Sequence, residues 1–406
     1  MAKISEPGRV SPPVRRVAGR RIDIVILLIL LAALLARVHL ARTEPYIYDE
    51  DNTAIPISQT ISFAPGHLHL PMRGENHPVL PAYFVKASST MFGTTRLGYR
   101  SVHILASLCT IVLIVLLTSQ WYGPIAARWA AALLAFNEYY LAVSARATAH
   151  APHLLLLATS IYAFSLFLAA QRVVYLYAAG VAVGLAFYCK EHSAILLPVF
   201  LLTLLHARYR HWLRSPHVYL ACATFFLVIA PDLVWNLTNT HDIEYVNRNL
   251  RQATYASHLQ RIGGLGFSPY PLMFYGRTAV MSLNRVLTGK ELNDDTPEYR
   301  SINPALGVLF LGAVLVTTFG GPRRDDDVRR FLLVLFWFVF VFFTLIRPGD
   351  PQGRLAPVSW IWVDITMFPA VILTGARLAD ASGKWRIPVW AFAGGALLYA
   401  GTLLIR

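Results

Sequence analysis

The sequence predicts an all-α, polytopic membrane protein, a transmembrane helical bundle of about eleven spans. Of its 406 residues 56% are hydrophobic and only 14% are charged, whereas a soluble domain carries about 25% charged residues. The mean hydropathy is +0.49. The apolar residues also occur in runs of roughly 20, the length that crosses the hydrocarbon core of a bilayer. A soluble globular domain does not fit this pattern.

The chain begins with a polar, Pro-containing and basic segment, residues 1–21. Its composition is typical of a disordered tail. The apolar run that follows, Ile22–Leu35, resembles the core of a signal peptide. However, no small-residue cleavage site follows it and further apolar runs do, so we expect a retained first span. Residues 22–406 are then a single transmembrane domain.

The remaining apolar runs give the order of the spans. We expect spans at 22–42, 100–119, 126–144, 152–170, 173–189, 193–207, 217–236, 302–320, 330–346, 358–378 and 387–405. Two long segments, 43–99 and 237–301, are too polar for spans. We expect both to lie on the same side of the membrane and to contain short interfacial helices.

The distribution of Lys and Arg predicts the orientation. A net charge of +14 suggests nucleic acid as a partner, but cytoplasmic loops of membrane proteins are also enriched in Arg and Lys. With a cytoplasmic N-terminus, the basic clusters fall in alternate, inside loops: Arg208, Arg210 and Arg214, then Arg323, Arg324, Arg329 and Arg330. We therefore predict a cytoplasmic N-terminus, both long loops outside, and no nucleic-acid partner.

Three consecutive carboxylates, Asp49, Glu50 and Asp51, follow the first span closely. A solvated start of the loop explains them equally well. The functional interpretation is a carboxylate at the membrane face that takes a proton from an acceptor hydroxyl. A neighbouring carboxylate would then orient it or share a cation with it.

Further along the same loop, Glu75 and His77 lie in the sequence Gly-Glu-Asn-His-Pro. The prolines that follow suggest a turn leading back to the membrane. Glu75 and His77 are candidates to contact substrate, and a carboxylate with an imidazole also suits a divalent metal. A role in forming the turn and capping a helix is the alternative, so the sequence does not decide whether a divalent metal is a cofactor.

Several motifs together resemble one family. They are ENHPVLPAYFVK, FGTTRLGYRSVHILASL, AFNEYYLAVSARATAHAPHLLLL, GVAVGLAFYCKEHSAILLP and IAPDLVWNLTN, in that order. With the acidic pair at 49–50, they resemble the GT-C superfamily of membrane glycosyltransferases over about residues 40–240. The most similar branch holds the aminoarabinose transferases, the protein O-mannosyltransferases and the lipopolysaccharide-core transferases. The chain departs from it at His150, where many relatives carry an acidic residue, and at Asn76 and Val79.

The resemblance implies a reaction. The donor would be a sugar on a polyprenyl phosphate, and the acceptor a hydroxyl of a lipid, polysaccharide or protein of the cell envelope. Asp49 would be the general base, with Glu50 beside it, and the anomeric carbon would be inverted. The candidate cations for the donor phosphate are Lys190, Arg146, Arg347 and Arg354. Lys190 follows a 17-residue apolar run, so snorkelling of its ammonium to the interface is an alternative.

The resemblance also implies a place in the cell. We expect a multi-pass protein of the bacterial inner membrane, surrounded by membrane lipids, with an extracytoplasmic active site. A transporter or a lipid or polysaccharide flippase is the main rival, and it would predict charges or broken helices in mid-membrane and repeated halves. The polar residues here lie mainly at span ends and in two outer loops. This favours chemistry at the membrane face over transport or a purely structural role.

Overall fold

The structure, a computed structural model, describes residues 23–47, 49–70, 79–238, 262–265, 304–320, 327–348, 360–381 and 386–405. These residues form a helical bundle, so the all-α class is confirmed. Its α-helices are α1 (Ile24–Thr43), α2 (Ile55–Thr60), α3 (Leu80–Phe92), α4 (Arg96–Tyr122), α5 (Pro124–Ala135), α6 (Glu138–Ser144), α7 (His150–Ala170), α8 (Val173–Phe187), α9 (Leu196–Leu204), α10 (Pro216–Thr238), α11 (Pro304–Phe319), α12 (Asp327–Leu345), α13 (Trp360–Asp380) and α14 (Arg386–Ile405).

Each predicted span coincides with one of these helices or with a pair of them. Within the described residues, four segments are long and apolar enough by themselves to cross a membrane: α1, α4, α7 and the Pro216–Val234 part of α10. The others are shorter apolar helices or have less apolar sequences, so the number of crossings stays a prediction. The N-terminal tail, residues 1–21, lies outside the described residues.

The predicted span 126–144 is wrong as a continuous helix. Helix α5 ends at Ala135 and α6 begins at Glu138. Asn137 caps α6, because its side chain accepts a hydrogen bond of 2.9 Å from the backbone N–H of Tyr140. Arg37 of α1 is fully buried at the break and donates to the carbonyl of Ala135 at 3.2 Å. A helix can break inside a bundle when such partners satisfy its free backbone groups.

Ion pairs join helix ends that we predicted to lie on the same side of the membrane. Asp23, which precedes α1, accepts from Arg128 of α5 at 2.9 Å. Arg208, which follows α9, pairs with Asp327 at the start of α12 at 2.5 Å. These contacts agree with the predicted alternation of the loops.

The first long loop, 43–99, contains short helices as predicted. A π-helical turn, Glu50–Ala54, continues into α2, and α3 leads back toward α4. In the second long loop, 237–301, the structure describes only the end of α10 and the strand β1 (Ile262–Leu265). This strand pairs antiparallel with β2 (Ile346–Pro348). The pair and one bridge between Ser62 and His69 are the β-structure of the described chain.

Helices α8 and α10 pack closely because α8 carries two glycines four residues apart. A Cβ atom at Gly180 would lie 2.5 Å from the carbonyl oxygen of Ala221, and one at Gly184 would lie 2.8 Å from Cβ of Val228. Real Cβ atoms do not approach other atoms so closely. Small residues at this spacing let two membrane helices approach backbone to backbone.

The end of α8 is tied to a proline in α10. Pro231 lies inside α10 and has no N–H. The hydroxyl of Tyr188 donates to the carbonyl of Val228 at 3.0 Å and accepts from the backbone N–H of Asp232 at 3.3 Å. It therefore bridges two groups that would bond directly in a regular helix. This contact fixes the chain two residues before Lys190.

Candidate active site

The first part of the site is a buried ion pair between Glu50 and Arg100. Both side chains are 0% exposed. The Glu50 carboxylate accepts two hydrogen bonds from the Arg100 guanidinium, at 2.7 and 2.5 Å, and two from backbone N–H groups, those of Ile47 and Ala147. A carboxylate offers about four lone-pair positions, so Glu50 is fully occupied.

Arg100 is just as completely satisfied. Besides its bonds to Glu50, the guanidinium donates to the carbonyls of Ala41, Glu44 and Pro45 at 3.1, 3.0 and 2.9 Å. These carbonyls lie at and beyond the C-terminus of α1, where a helix leaves backbone oxygens without partners. The pair thus joins the end of α1 to the start of α4. It also anchors the loop that carries Asp49.

Asp49 and Glu50 have opposite surroundings. Asp49 is exposed, as is Asp51, whereas Glu50 is buried between them. The hydrogen bonds of Glu50 leave its carboxylate no free position for a substrate proton or a cation, so we expect it to hold the loop that carries Asp49, and its catalytic role stays a prediction. Asp49 keeps an accessible carboxylate.

The second part of the site surrounds Lys190. Its ammonium lies 3.2 Å from Oδ2 of Asp364 and 2.9 Å from Nδ1 of His150. Asp364 is 0% exposed and also accepts from the hydroxyl of Tyr139 at 2.8 Å. The side chains of Lys190 and His150 keep 13% and 17% of their surface exposed. Lys190 is therefore a held cation with an accessible edge, which argues against simple snorkelling.

A third set of contacts resembles a nucleophilic triad. Nδ1 of His153 lies 3.1 Å from Asp364, and its Nε2 lies 2.8 Å from the hydroxyl of Ser193. All three side chains are completely buried, and the Ser193 hydroxyl donates to the carbonyl of Lys190 at 2.7 Å. A substrate cannot reach this serine, so the arrangement is structural support and not a nucleophile.

The other predicted residues have different outcomes. Arg146 is 3% exposed and pairs with Glu44 at 3.2 Å, close to the Glu50 contact at Ala147. The backbone of Arg347 lies in β2, and its side chain is not described. Arg354, Glu75 and His77 lie outside the described residues. Among the residues that the structure does describe, no group of three or more His, Cys, Asp or Glu side chains is placed to hold a metal ion.

Sequence reasoning missed Asp364, His153 and Arg100. Asp364 had a readable signal, because it is a lone carboxylate in the apolar run Trp-Ile-Trp-Val-Asp-Ile-Thr. An acidic residue within a predicted span is a candidate for function by default. Arg100 lies inside a motif that was recognised, but nothing in the sequence indicates that it pairs with Glu50.

Fold and site together define a multi-pass membrane protein with a cluster of buried, charged side chains. Residues 76–235 match the family described as dolichyl-phosphate-mannose-protein mannosyltransferase. The resemblance to the GT-C membrane glycosyltransferases that the motifs indicated is thereby confirmed. No curated protein matches the sequence.

Two kinds of solved structure share the fold. The first is ArnT from Cupriavidus metallidurans bound to undecaprenyl phosphate, with a TM-score of 0.65 and 16% identity over 93% of this chain and 64% of that one. The second is the oligosaccharyltransferase AglB from Archaeoglobus fulgidus in complex with an inhibitory peptide and a dolichol-phosphate. Its TM-score is 0.54 and its identity 15%, over 93% of this chain and 55% of that one. The chain thus spans less than two thirds of either protein.

Proposed function

We propose that the protein is an integral membrane glycosyltransferase that moves a sugar from a polyprenyl-phosphate-linked donor to a hydroxyl acceptor. The observation that carries the proposal is the proximity of a base to a held cation. Asp49 is exposed and adjoins Glu50, whose carboxylate accepts from the backbone N–H of Ala147 at 2.7 Å, three residues before His150. His150 contacts the Lys190 ammonium at 2.9 Å. Transfer from a lipid phosphate needs both groups at one place.

In this reaction the carboxylate of Asp49 takes the proton of the acceptor hydroxyl. The hydroxyl oxygen forms a bond to the anomeric carbon from the face opposite the phosphate, and the carbon–oxygen bond to the phosphate breaks. The polyprenyl phosphate leaves with the electron pair. An attack from the opposite face inverts the anomeric carbon.

Lys190 stabilises the negative charge that develops on the leaving phosphate. Such stabilisation is strong where water is excluded, because opposite charges attract each other more strongly in a medium of low dielectric constant than in water. Arg146, Arg347 and Arg354 are the further candidates to bind the phosphate, and Glu75 and His77 to contact substrate. The lipid phosphates named with the ArnT and AglB structures support a donor of this class.

The site is proposed to face outward. The lipid tail of the donor lies in the bilayer and its phosphate lies at the extracytoplasmic face, where the first long loop carries Asp49. The bacterial inner membrane is the expected location, and the acceptor is a hydroxyl of the cell envelope.

A flippase or transporter is the second candidate, and the break between α5 and α6 favours it. Broken helices in mid-membrane are typical of transporters. In this protein, however, Arg37 fills the break with hydrogen bonds to Ala135 and to the hydroxyl of Ser144, at 3.2 and 2.9 Å. A filled break offers a ligand less access than an open one.

Reconstitution separates the two functions. Lipid-linked sugars are extracted from a strain lacking the gene, where the unused donor accumulates, and are added to the purified protein in liposomes. A glycosyltransferase releases free polyprenyl phosphate when acceptor is supplied. Movement of the intact lipid-linked sugar across the bilayer, without release of polyprenyl phosphate, would show a flippase instead.

A further inference from the structure

One fully buried carboxylate, that of Asp364, contacts four polar groups at and around Lys190. Asp364 lies in α13, and its contacts come from α6, α7 and the turn after α8. They are the hydroxyl of Tyr139 at 2.8 Å, Nδ1 of His150 at 3.2 Å, Nδ1 of His153 at 3.1 Å and the Lys190 ammonium at 3.2 Å. A single residue thus connects four polar groups of the first half of the chain to the second half.

The same network also holds the backbone of Lys190. Nδ1 of His153 lies 3.1 Å from Asp364 and its Nε2 lies 2.8 Å from Oγ of Ser193, which in turn lies 2.7 Å from the carbonyl oxygen of Lys190. Both ends of the lysine are therefore fixed, the carbonyl through Ser193 and the ammonium through Asp364. A long, flexible side chain held in this way loses little further freedom when it binds a ligand.

We propose that Asp364 is a positioning residue that holds the Lys190 ammonium and the His150 imidazole in place for the donor phosphate. This inference rests on the proposed function. Asp364 does not touch the donor, because it is 0% exposed and carries the same sign of charge as a phosphate. Lys190 has three N–H donors. Asp364 takes one at 3.2 Å, and Nε2 of His150, the ring nitrogen not used toward Asp364, takes a second at 3.1 Å. This leaves the third for a phosphate oxygen.

The charges explain why removing the carboxylate damages the site. An ammonium whose side chain is only 13% exposed needs a nearby anion to compensate its charge. Without Asp364, the positive charge of Lys190 has no buried partner, and the side chain leaves its place or loses its proton. Either change removes the cation from the phosphate position.

The test compares Asp364→Asn with a matched control, Asp327→Asn. Asp327 is also buried, with 7% of its side chain exposed, and pairs with Arg208 at helix ends remote from this network. Both variants remove one buried carboxylate from an ion pair. Undecaprenyl phosphate serves as the probe, and its affinity is measured by titration in detergent together with the thermal unfolding of each variant.

We expect Asp364→Asn to weaken the binding of undecaprenyl phosphate by about tenfold or more, the effect of losing one charge-assisted hydrogen bond. Asp327→Asn should lower thermal stability and leave the affinity within about twofold. Asp364→Glu should recover part of the loss. In a Lys190→Met background, Asp364→Asn should cost no further affinity, because Asp364 acts through the lysine.

Three results would overturn the inference. They are wild-type affinity in a folded Asp364→Asn protein, a tighter affinity in that variant, and an equal loss in the Lys190→Met background. Tighter binding would mean that Asp364 competes with the phosphate for Lys190. A wild-type protein that binds no undecaprenyl phosphate would instead reject the proposed function itself, which distinguishes the two failures.

Discussion

Two adjacent carboxylates of the first outer loop occupy opposite environments. Asp49 is exposed at the start of the π-helical turn, whereas Glu50 is buried and accepts four hydrogen bonds. The difference in position separates their roles although the side chains share the same chemical group. Glu50 holds the loop against α4, and Asp49 keeps the accessible carboxylate that the proposed base role requires.

The base assignment predicts the effect of Asp49→Asn. The amide nearly preserves shape but accepts no proton, so sugar transfer should fall by at least about 10²-fold, the lower range for a general base. Transfer from a lipid-linked donor is measured in liposomes, and the amount of folded protein is the control. Wild-type transfer by a folded Asp49→Asn protein would show that another carboxylate is the base, and Glu75 would be tested next.

Glu50→Gln should lower the stability of the folded protein. It leaves the Arg100 guanidinium buried without its counter-ion, and breaking a buried ion pair on one side costs about 3–5 kcal/mol. We expect a lower unfolding temperature in detergent and less protein in the membrane. Asp51→Asn, which changes an exposed neighbour, is the matched control and should unfold like the wild type. A Glu50→Gln protein as stable as this control would contradict the structural role.

For single residues, the sequence predicts which positions are functional candidates better than it predicts the role of each. The spacing from the first span indicates Asp49 and Glu50, and the family motif indicates Lys190. Which carboxylate is buried depends on Arg100, 50 positions away, and the partner of Lys190 is 174 positions away. Pairings over such distances follow from helix packing, which a single sequence does not display.

Among the helices, the contact between α8 and α10 has the sharpest steric requirement. Gly180→Ala would place a Cβ atom 2.5 Å from the carbonyl oxygen of Ala221, and a backbone atom cannot move aside cheaply. We expect the variant to lose about 1–3 kcal/mol of stability. Gly394→Ala in α14 is the control, because nothing lies within 4 Å of its added Cβ atom. Thermal unfolding of the two variants checks the difference, and equal midpoints would contradict close packing at Gly180.

The positions of the helices were predictable because apolar runs of span length are a strong signal. The break between α5 and α6 was not, since residues 126–144 are apolar enough to read as one span. The local signal is Asn137 followed by Glu138, a residue pair typical of a helix start. Its meaning depends on Arg37, which comes from a different helix.

For the whole molecule, the Arg distribution predicts a cytoplasmic N-terminus. Two exposed positions test it, Gln59 in the first long loop and Arg210 in the turn before α10. In a background without cysteine, Gln59→Cys should react with a membrane-impermeant maleimide in intact spheroplasts. Arg210→Cys should react only after permeabilisation. The reverse pattern would invert the orientation and place the site on the cytoplasmic side.

The contact between Lys190 and Asp364 can form only late in the synthesis of the chain. Because the two residues are 174 positions apart, α8 enters the membrane long before α13 has been translated. Until then the lysine and its neighbouring histidines lack their common acceptor. We expect a chain truncated before α13 to be degraded faster than one truncated after it, and pulse-chase labelling measures both lifetimes. We therefore expect an unfinished copy to carry an unpaired cation, a feature by which a membrane protease can distinguish it from a finished one.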